Sequence, residues 1–427
     1  MQIVLFVRMV MILQANLVTG TSILSAGGIG IEEVWQSILE KRQKITQRIK
    51  TLKDNECIQY PVYEIENFDL SNWLSKKQID VMIENHLMDD LDFKLLVLSS
   101  ILALKNAKLQ VKPDSKVSLI IAHENPGVVS LIDRMFMDDD YINKARNVSE
   151  KFALHQQQFY NLQSFPHLFY LAKILNISGS TFIVNNACAS GTYALELGNL
   201  LINSNQSDVV LVVSSDYAHF TEYLWLQQRG FCSESGMIRP FDKNRDGTVL
   251  GDSASGIVLE SSHHAAARNA PVKCCYQGAV LQQDHWKMTL PDVSKHTYSK
   301  IIEKIMEDIN IHQLDLLVPH ATGSPLWDKY EANQIARCFQ DKTMPLITAF
   351  KPYIGHSLGA SSLSETVLLI QSLVTNLIPP ILNYEEVDHK IPLPTIATEF
   401  ENKDLHHVMK TVSAYGGFHS ASLFSKI

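Results

Sequence analysis

The chain has 427 residues, 46% of them hydrophobic and 19% charged, which is the composition of a globular protein of roughly two or three folding units. Lysine and arginine number 37 against 45 acids, a net charge of −8, so the basic footprint that a nucleic-acid partner requires is missing. Six cysteines with no Cys-x-x-Cys spacing exclude a disulfide framework and a zinc ribbon, and read as the reduced thiols of a cytoplasmic protein.

In chain order, Met1–Leu13 is apolar but interrupted by Arg8 and too short to span a bilayer; it reads as an edge strand or an over-extended start, not a leader. No basic amphipathic run suggests a membrane surface. Ile31, Val34, Trp35, Ile38 and Leu39 recur at helical spacing, with Glu32, Glu33 and Lys41 on the other side. Val117–Ala122, Val209–Ser214 and Leu314–Pro319 are short apolar runs, the pattern of strands covered on both faces. Tyr298, Ile301, Ile302, Ile305, Met306 and Ile309 mark another amphipathic helix. The alternation defines an α/β chain. A polar, helix-forming stretch at Ser261–Pro271 sets a soft boundary, giving halves 1–262 and 263–427. Asp242–Gly247 opens like a calcium loop, but its twelfth position is Ser253 rather than glutamate. It reads as a structural turn, with Arg245 near Asp242 or Asp246. No metal site and no phosphate-binding glycine loop is expected.

The chemistry concentrates in three small-residue turns. In Thr181–Gly198 a strand ends at Asn185 or Asn186 and a helix begins among Ala189–Thr192, with Cys188 at the turn. A helix N-terminus carries unpaired N–H groups and partial positive charge, which favour thiolate over thiol, and the geometry is that of a nucleophile elbow. A lone cysteine among apolar residues is more often a small core residue. Two histidines shift that balance. His320 follows the strand L-D-L-L-V-P, and His356 follows P-L-I-T-A-F through Lys351-Pro-Tyr-Ile-Gly355. Both lie just past strand ends, where open α/β sheets keep their sites.

These blocks resemble the elongating β-ketoacyl-acyl-carrier-protein synthases, the decarboxylating condensing enzymes of the thiolase superfamily. The resemblance rests on N-A-C-A-S-G-T around Cys188, R-P-F-D-K-N-R-D-G-T-V-L-G-D at Arg239–Asp252, H-A-T-G-S-P-L-W-D-K-Y-E at His320–Glu331 and F-K-P-Y-I-G-H-S-L-G-A at Phe350–Ala360. It runs from about Leu17 to the C-terminus and is weakest over Pro61–Gln158. It implies a thiolase-like duplicated five-layer αβαβα fold. Cys188 matches the acyl-accepting nucleophile, His320 and His356 the pair that binds the malonyl thioester and assists decarboxylation, and Lys351 their supporting lysine. Thr322 and Ser324 fall at substrate-binding positions. The resemblance further implies an acyl carrier protein as partner, whose phosphopantetheine arm leaves this chain without a cofactor of its own. It also implies a homodimer, or a heterodimer with a second ketosynthase-like chain.

Several positions depart from the family. The usual Asn-Ser-Phe-Gly-Phe-Gly-Gly loop is V-S-A-Y-G-G-F-H-S-A at Val412–Ala421, so Tyr415 or Phe418 becomes the candidate for the gate that closes the acyl pocket. Ala321 follows the first histidine in place of glycine, Asp252 stands where glutamate is common, and His123-Glu-Asn-Pro-Gly127 replaces a glycine-rich strand end. The departures point toward a specialised polyketide or polyene pathway rather than primary fatty-acid elongation. The competing readings are a non-catalytic chain-length-factor-like partner of a heterodimeric ketosynthase, and a repurposed acyltransferase. Such partners typically lack the nucleophile, and Cys188 is present.

Overall fold

The computed structural model describes residues 16–52, 56–124, 147–150 and 163–427, with Val128 and Ile132; the Met1–Leu13 run lies outside the described residues. Its frame is one continuous sheet. The principal strands are β1 (Asn16–Ser25), β2 (Val117–Ala122), β3 (Thr181–Val184), β4 (Val209–Asp216), β5 (Ser253–Glu260), β6 (Cys274–Gln283), β7 (Leu316–Val318), β8 (Leu346–Ile347), β9 (His407–Ser413) and β10 (Phe418–Ser425). Their spatial order is β8-β7-β9-β10-β6-β1-β5-β4-β2-β3.

That order contains the same topology twice. Outward from the β1–β6 seam, each half places its first strand, then its fifth, fourth, second and third. The directions repeat as well: the two inner pairings of each half are antiparallel and the two outer ones parallel. The halves join through a short antiparallel contact, Asn16↔Tyr276 to Val18↔Cys274. The link between them includes a short helix, Ser262–Ala267, within the polar stretch read from the sequence.

Alternation along the strands builds the layers. In β4, Val209, Leu211 and Val213 face an outer core with Phe93, Leu96 and Leu171, while Val210 and Val212 face a central core. The outer core is covered by α1 (Leu91–Asn106) and α2 (Phe165–Leu175). The central one holds α3 (Ser190–Asn203) and a second helix of nearly unbroken burial, Ser361–Thr375. On the far side Leu317, Met409 and Leu423 meet α5 (Thr297–Asp308) and α6 (Pro325–Cys338), α4 being Phe220–Gln227 and α7 the Ser361–Thr375 helix. Helices and half-sheets thus form five layers, αβαβα. Leu358–Thr375 is long and apolar enough to cross a membrane, but 83% of it is buried within the molecule.

Gly191 lets the two central helices touch: a Cβ there would lie 2.5 Å from Leu363 N, and its own N–H donates to Ser362 Oγ at 3.1 Å. The turns differ slightly from the sequence reading. β3 stops at Val184, because the Asn186 N–H is taken by the Ser190 hydroxyl at 2.8 Å rather than by a neighbouring strand. β8 covers only Leu346–Ile347, since the chain then enters the helical turn Lys351–Ile354 with Pro352 in its first turn. The Asp242–Gly247 segment is a turn, but Arg245 pairs with Asp388 at 2.8 Å and reaches Asp242 only through its carbonyl. The Asp242 carboxylate is occupied by the N–H groups of Asn244, Glu385 and Glu386.

Candidate active site

The duplication explains how the site is assembled. Cys188 sits between the third strand and the central helix of the first half; His356 sits between the third strand and the central helix of the second. His320 follows the second strand of its half, β7, as His123 and Glu124 follow the second strand of the other, β2. At each turn a residue other than glycine adopts positive φ: Ala187 at 50°, Ala321 at 48° and Leu358 at 42°. These conformations are costly for residues with a Cβ, and they bring the reactive side chains to a common point.

Cys188 Sγ lies 3.5 Å from His356 Nε2, and Sγ and a ring nitrogen of each histidine all fall within 4.8 Å of one another. The two imidazoles stand edge to face, centroids 5.3 Å apart. Lys351 Nζ donates to His320 Nδ1 at 3.3 Å and to the His320 carbonyl at 2.6 Å, so the ring proton of His320 belongs on Nε2. Both Glu365 oxygens accept from Lys351 at 2.9 Å, and Glu365 also accepts from Lys410 at 2.7 Å. Lys410 donates in addition to the Pro319 carbonyl, and Glu331 takes the backbone N–H groups of His320 and Ala321. Every charge behind the histidines is therefore matched. Nδ1 of His356 is buried with no hydrogen-bond partner among the described residues, so the protein does not lock its tautomer.

Electrostatics correct one expectation. The helix N-terminus was to favour thiolate, but Cys188 is only 7% exposed. Burial, followed by the Glu124 carboxyl, pushes its pKa well above that of an ordinary thiol, with Lys351 opposing. Burial therefore favours the thiol over the thiolate, and His356 Nε2 lies within reach of its proton. Burial also pushes His320 and His356 well below the usual histidine range, and Lys351 and Lys410 add to that, so both rings are neutral at pH 7. Burial lowers Lys410 to about 8 against the pull of Glu365.

Above Cys188 lies a cavity of about 380 Å³ whose wall includes His320, His356, Thr322, Ser324 and Tyr415. Tyr415 packs among Trp225, Phe231 and Trp327, with centroids 5.2 to 6.0 Å away. Phe418 lies off this wall, edge-on to Tyr193 at 5.9 Å, in a small cluster beside Cys188. Gly416 and Gly417 between them take φ of 75° and 72°. Their backbone is anchored, Gly416 N–H to the Met288 carbonyl and Gly417 carbonyl to Asp284 N–H. Asp252 pairs with Arg48 at 2.7 Å and accepts from Ala218 and Ile65 N–H, a structural post away from the sulfur. Lys410, Asp216 and Glu222 were not singled out in the sequence. Lysine in the middle of the run V-M-K-T-V was the one available signal among them.

A cysteine elbow facing two histidines from a duplicated half is the arrangement of thiolase-fold condensing enzymes. Residues 170–265 match the β-ketoacyl synthase N-terminal domain and residues 273–385 the C-terminal domain. Over residues 170–385 the chain thus carries both domains of the β-ketoacyl synthase family. It is 27% identical over 262 residues to 3-oxoacyl-[acyl-carrier-protein] synthase 2 of Coxiella burnetii, an alignment that spans 59% of this chain and 63% of that relative. With the enzyme of the same name from Vibrio harveyi it shares 24% identity over 96% of this chain and 98% of the other. Among solved structures, the ishigamide ketosynthase/chain length factor superposes with a TM-score of 0.82 at 21% identity, covering 97% of this chain and 99% of that one.

Proposed function

We propose that the protein is a β-ketoacyl-acyl-carrier-protein synthase. The observation that carries this reading is the contact of Cys188 Sγ with His356 Nε2 beside a His320 oriented by Lys351. In the first half-reaction Cys188 attacks an acyl thioester on the carrier; its thiol proton passes through His356 to the departing carrier thiolate, leaving an acyl-Cys188 thioester. Malonyl-carrier then enters. The bond to its carboxylate breaks, carbon dioxide leaves, and the electron pair forms an enolate whose oxygen accepts from the Nε2–H of His320 and His356. The enolate carbon attacks the acyl carbonyl, the C–S bond breaks, and the Cys188 thiolate regains a proton from solvent. Two neutral imidazoles suit this task, since an Nε2–H stabilises developing negative charge while the unlocked His356 tautomer serves both half-reactions.

Thr322 and Ser324, on the cavity wall, hold the carrier's arm in this reading, and Tyr415 is the gate rather than Phe418, because Tyr415 forms part of the wall. Localisation is cytoplasmic and the working form a dimer, with itself or with a second ketosynthase-like chain. Among the described residues β3 is an end strand of the sheet, carrying a 36% exposed Phe182, an edge that a second chain would cover. The test is incubation with acyl- and malonyl-carrier protein. Carbon dioxide release with a β-ketoacyl product is expected, and Cys188→Ala abolishes the β-ketoacyl product. Acyl transfer to an amine or alcohol without carbon dioxide would overturn the proposal.

A further inference from the structure

The cavity wall is largely apolar, with Trp225, Leu226, Phe231 and Trp327 in it, yet Glu124 and Glu222 also form part of it. Burying a carboxyl against methylene groups with no hydrogen-bond partner is unfavourable. Glu222 already displays the deficit: its Oε2 is buried and has no partner among the described residues. Among the described residues, the charges that act on it most strongly are the acids Glu124 and Asp92. Asp216, close behind, is surrounded in the same way by Asp92, Glu124 and Glu222. Glu124 is fixed beside the cysteine by the fold: it follows β2, and a Cβ on Gly359, three residues past His356, would lie 2.9 Å from Glu124 Cγ. Burial, then the neighbouring acids, raises the Glu222 carboxyl to about 8, so at neutral pH it is largely a carboxylic acid able to donate as well as accept.

Resting on the ketosynthase reading, we propose that the acyl chain received by Cys188 bears a polar hydrogen-bonding substituent, an amine or a hydroxyl, that reaches Glu222 and Glu124. A plain alkyl chain of equal length is the poorer substrate, because it brings no hydrogen-bond partner to Glu222.

Three series of N-acetylcysteamine thioesters of stepped chain length test this: alkyl, terminal hydroxyl and terminal amine. The readout is the rate of the mass shift on Cys188. In the wild-type protein one of the polar series should load at least about tenfold faster than the matching alkyl chain, and Glu222→Leu should remove that advantage. Glu222→Gln separates the two sources: a hydroxyl preference survives it and an amine preference falls. A cooperative melting transition near that of the wild type reports that each variant is folded, iodoacetamide reports that Cys188 stays accessible, and Glu124→Leu stands in if Glu222→Leu is not folded. Equal or faster loading of alkyl chains at every length, or an advantage indifferent to both leucine variants, overturns the proposal alone. Failure of every thioester to load, with Cys188 still alkylated, overturns the ketosynthase reading and this one with it.

Discussion

The two halves share a topology but surround the sulfur with opposite chemistry. The second half supplies Lys351, Glu365, Lys410 and Glu331, a buried cluster in which each charge has a partner at hydrogen-bond distance. The first half supplies Asp92, Glu124, Asp216 and Glu222 around His123; burial biases Glu124, Asp216 and Glu222 toward the protonated form, and neighbouring acids add to it at Asp216 and Glu222. His320 and Glu124 follow equivalent strands, so duplication has produced one flank locked by ion pairs and one rich in acids, with Glu222 Oε2 left without a partner among the described residues, from a single plan. A matched cluster positions machinery; an unmatched one is suited to a ligand.

The comparison breaks most visibly through stability. Lys351→Met leaves Glu365 with one cation and releases His320 Nδ1, so it should cost about 3–5 kcal/mol and reduce condensation at least about 100-fold. Glu222→Gln removes the cost of protonating that carboxyl on folding, which at pH 7 lies well above its unfolded value, and should raise stability by up to about 3 kcal/mol. Urea unfolding of both variants at pH 7 checks the contrast, which fails if Glu222→Gln also loses stability.

A second, smaller effect appears against pH. Glu222 titrates at about 8 in the fold, above the ordinary value of 4.5. Between those values the folded chain holds a proton that the unfolded chain has released, so the Glu222 share of stability falls as pH rises through this window and levels off above it. Melting temperatures taken from pH 5 to pH 9 should decline less in Glu222→Gln than in the wild type. Parallel curves would mean that Glu222 is ionised throughout.

The weakest effect lies where the halves meet. Tyr415 belongs to the second half but packs on Trp225 and Phe231 of the first. Tyr415→Ala should shift acyl-chain preference severalfold and also lose the stability of its three aromatic contacts. Phe418→Ala, away from the cavity, should lower the melting temperature and leave preference alone. Loading assays with thioesters of graded length separate the two roles, and a shift in both variants would return Phe418 to the gate.

The sequence made the site's turns legible because small residues, strand ends and helix starts coincide at Cys188, His320 and His356. The acidic flank was illegible for a physical reason: Asp92 in α1, Asp216 at the end of β4 and Glu222 in α4 each look like ordinary solvated acids, and only the crossing of those elements buries them together. The thiolate expectation failed likewise, since a helix terminus is visible in sequence whereas the burial that outweighs it depends on contacts made across the fold.

The left-handed alanines beside Cys188 and His320 limit what protein engineering can safely improve. Substituting glycine at Ala187 or Ala321 would relieve torsional strain of the order of 1 kcal/mol, and a stability screen would reward it. The same change would widen the arc through which the sulfur and the imidazole swing, so the hardier molecule would meet its thioester less often in register. A heat-resistant version of this protein is better sought in its outer helices, where nothing has to be aimed.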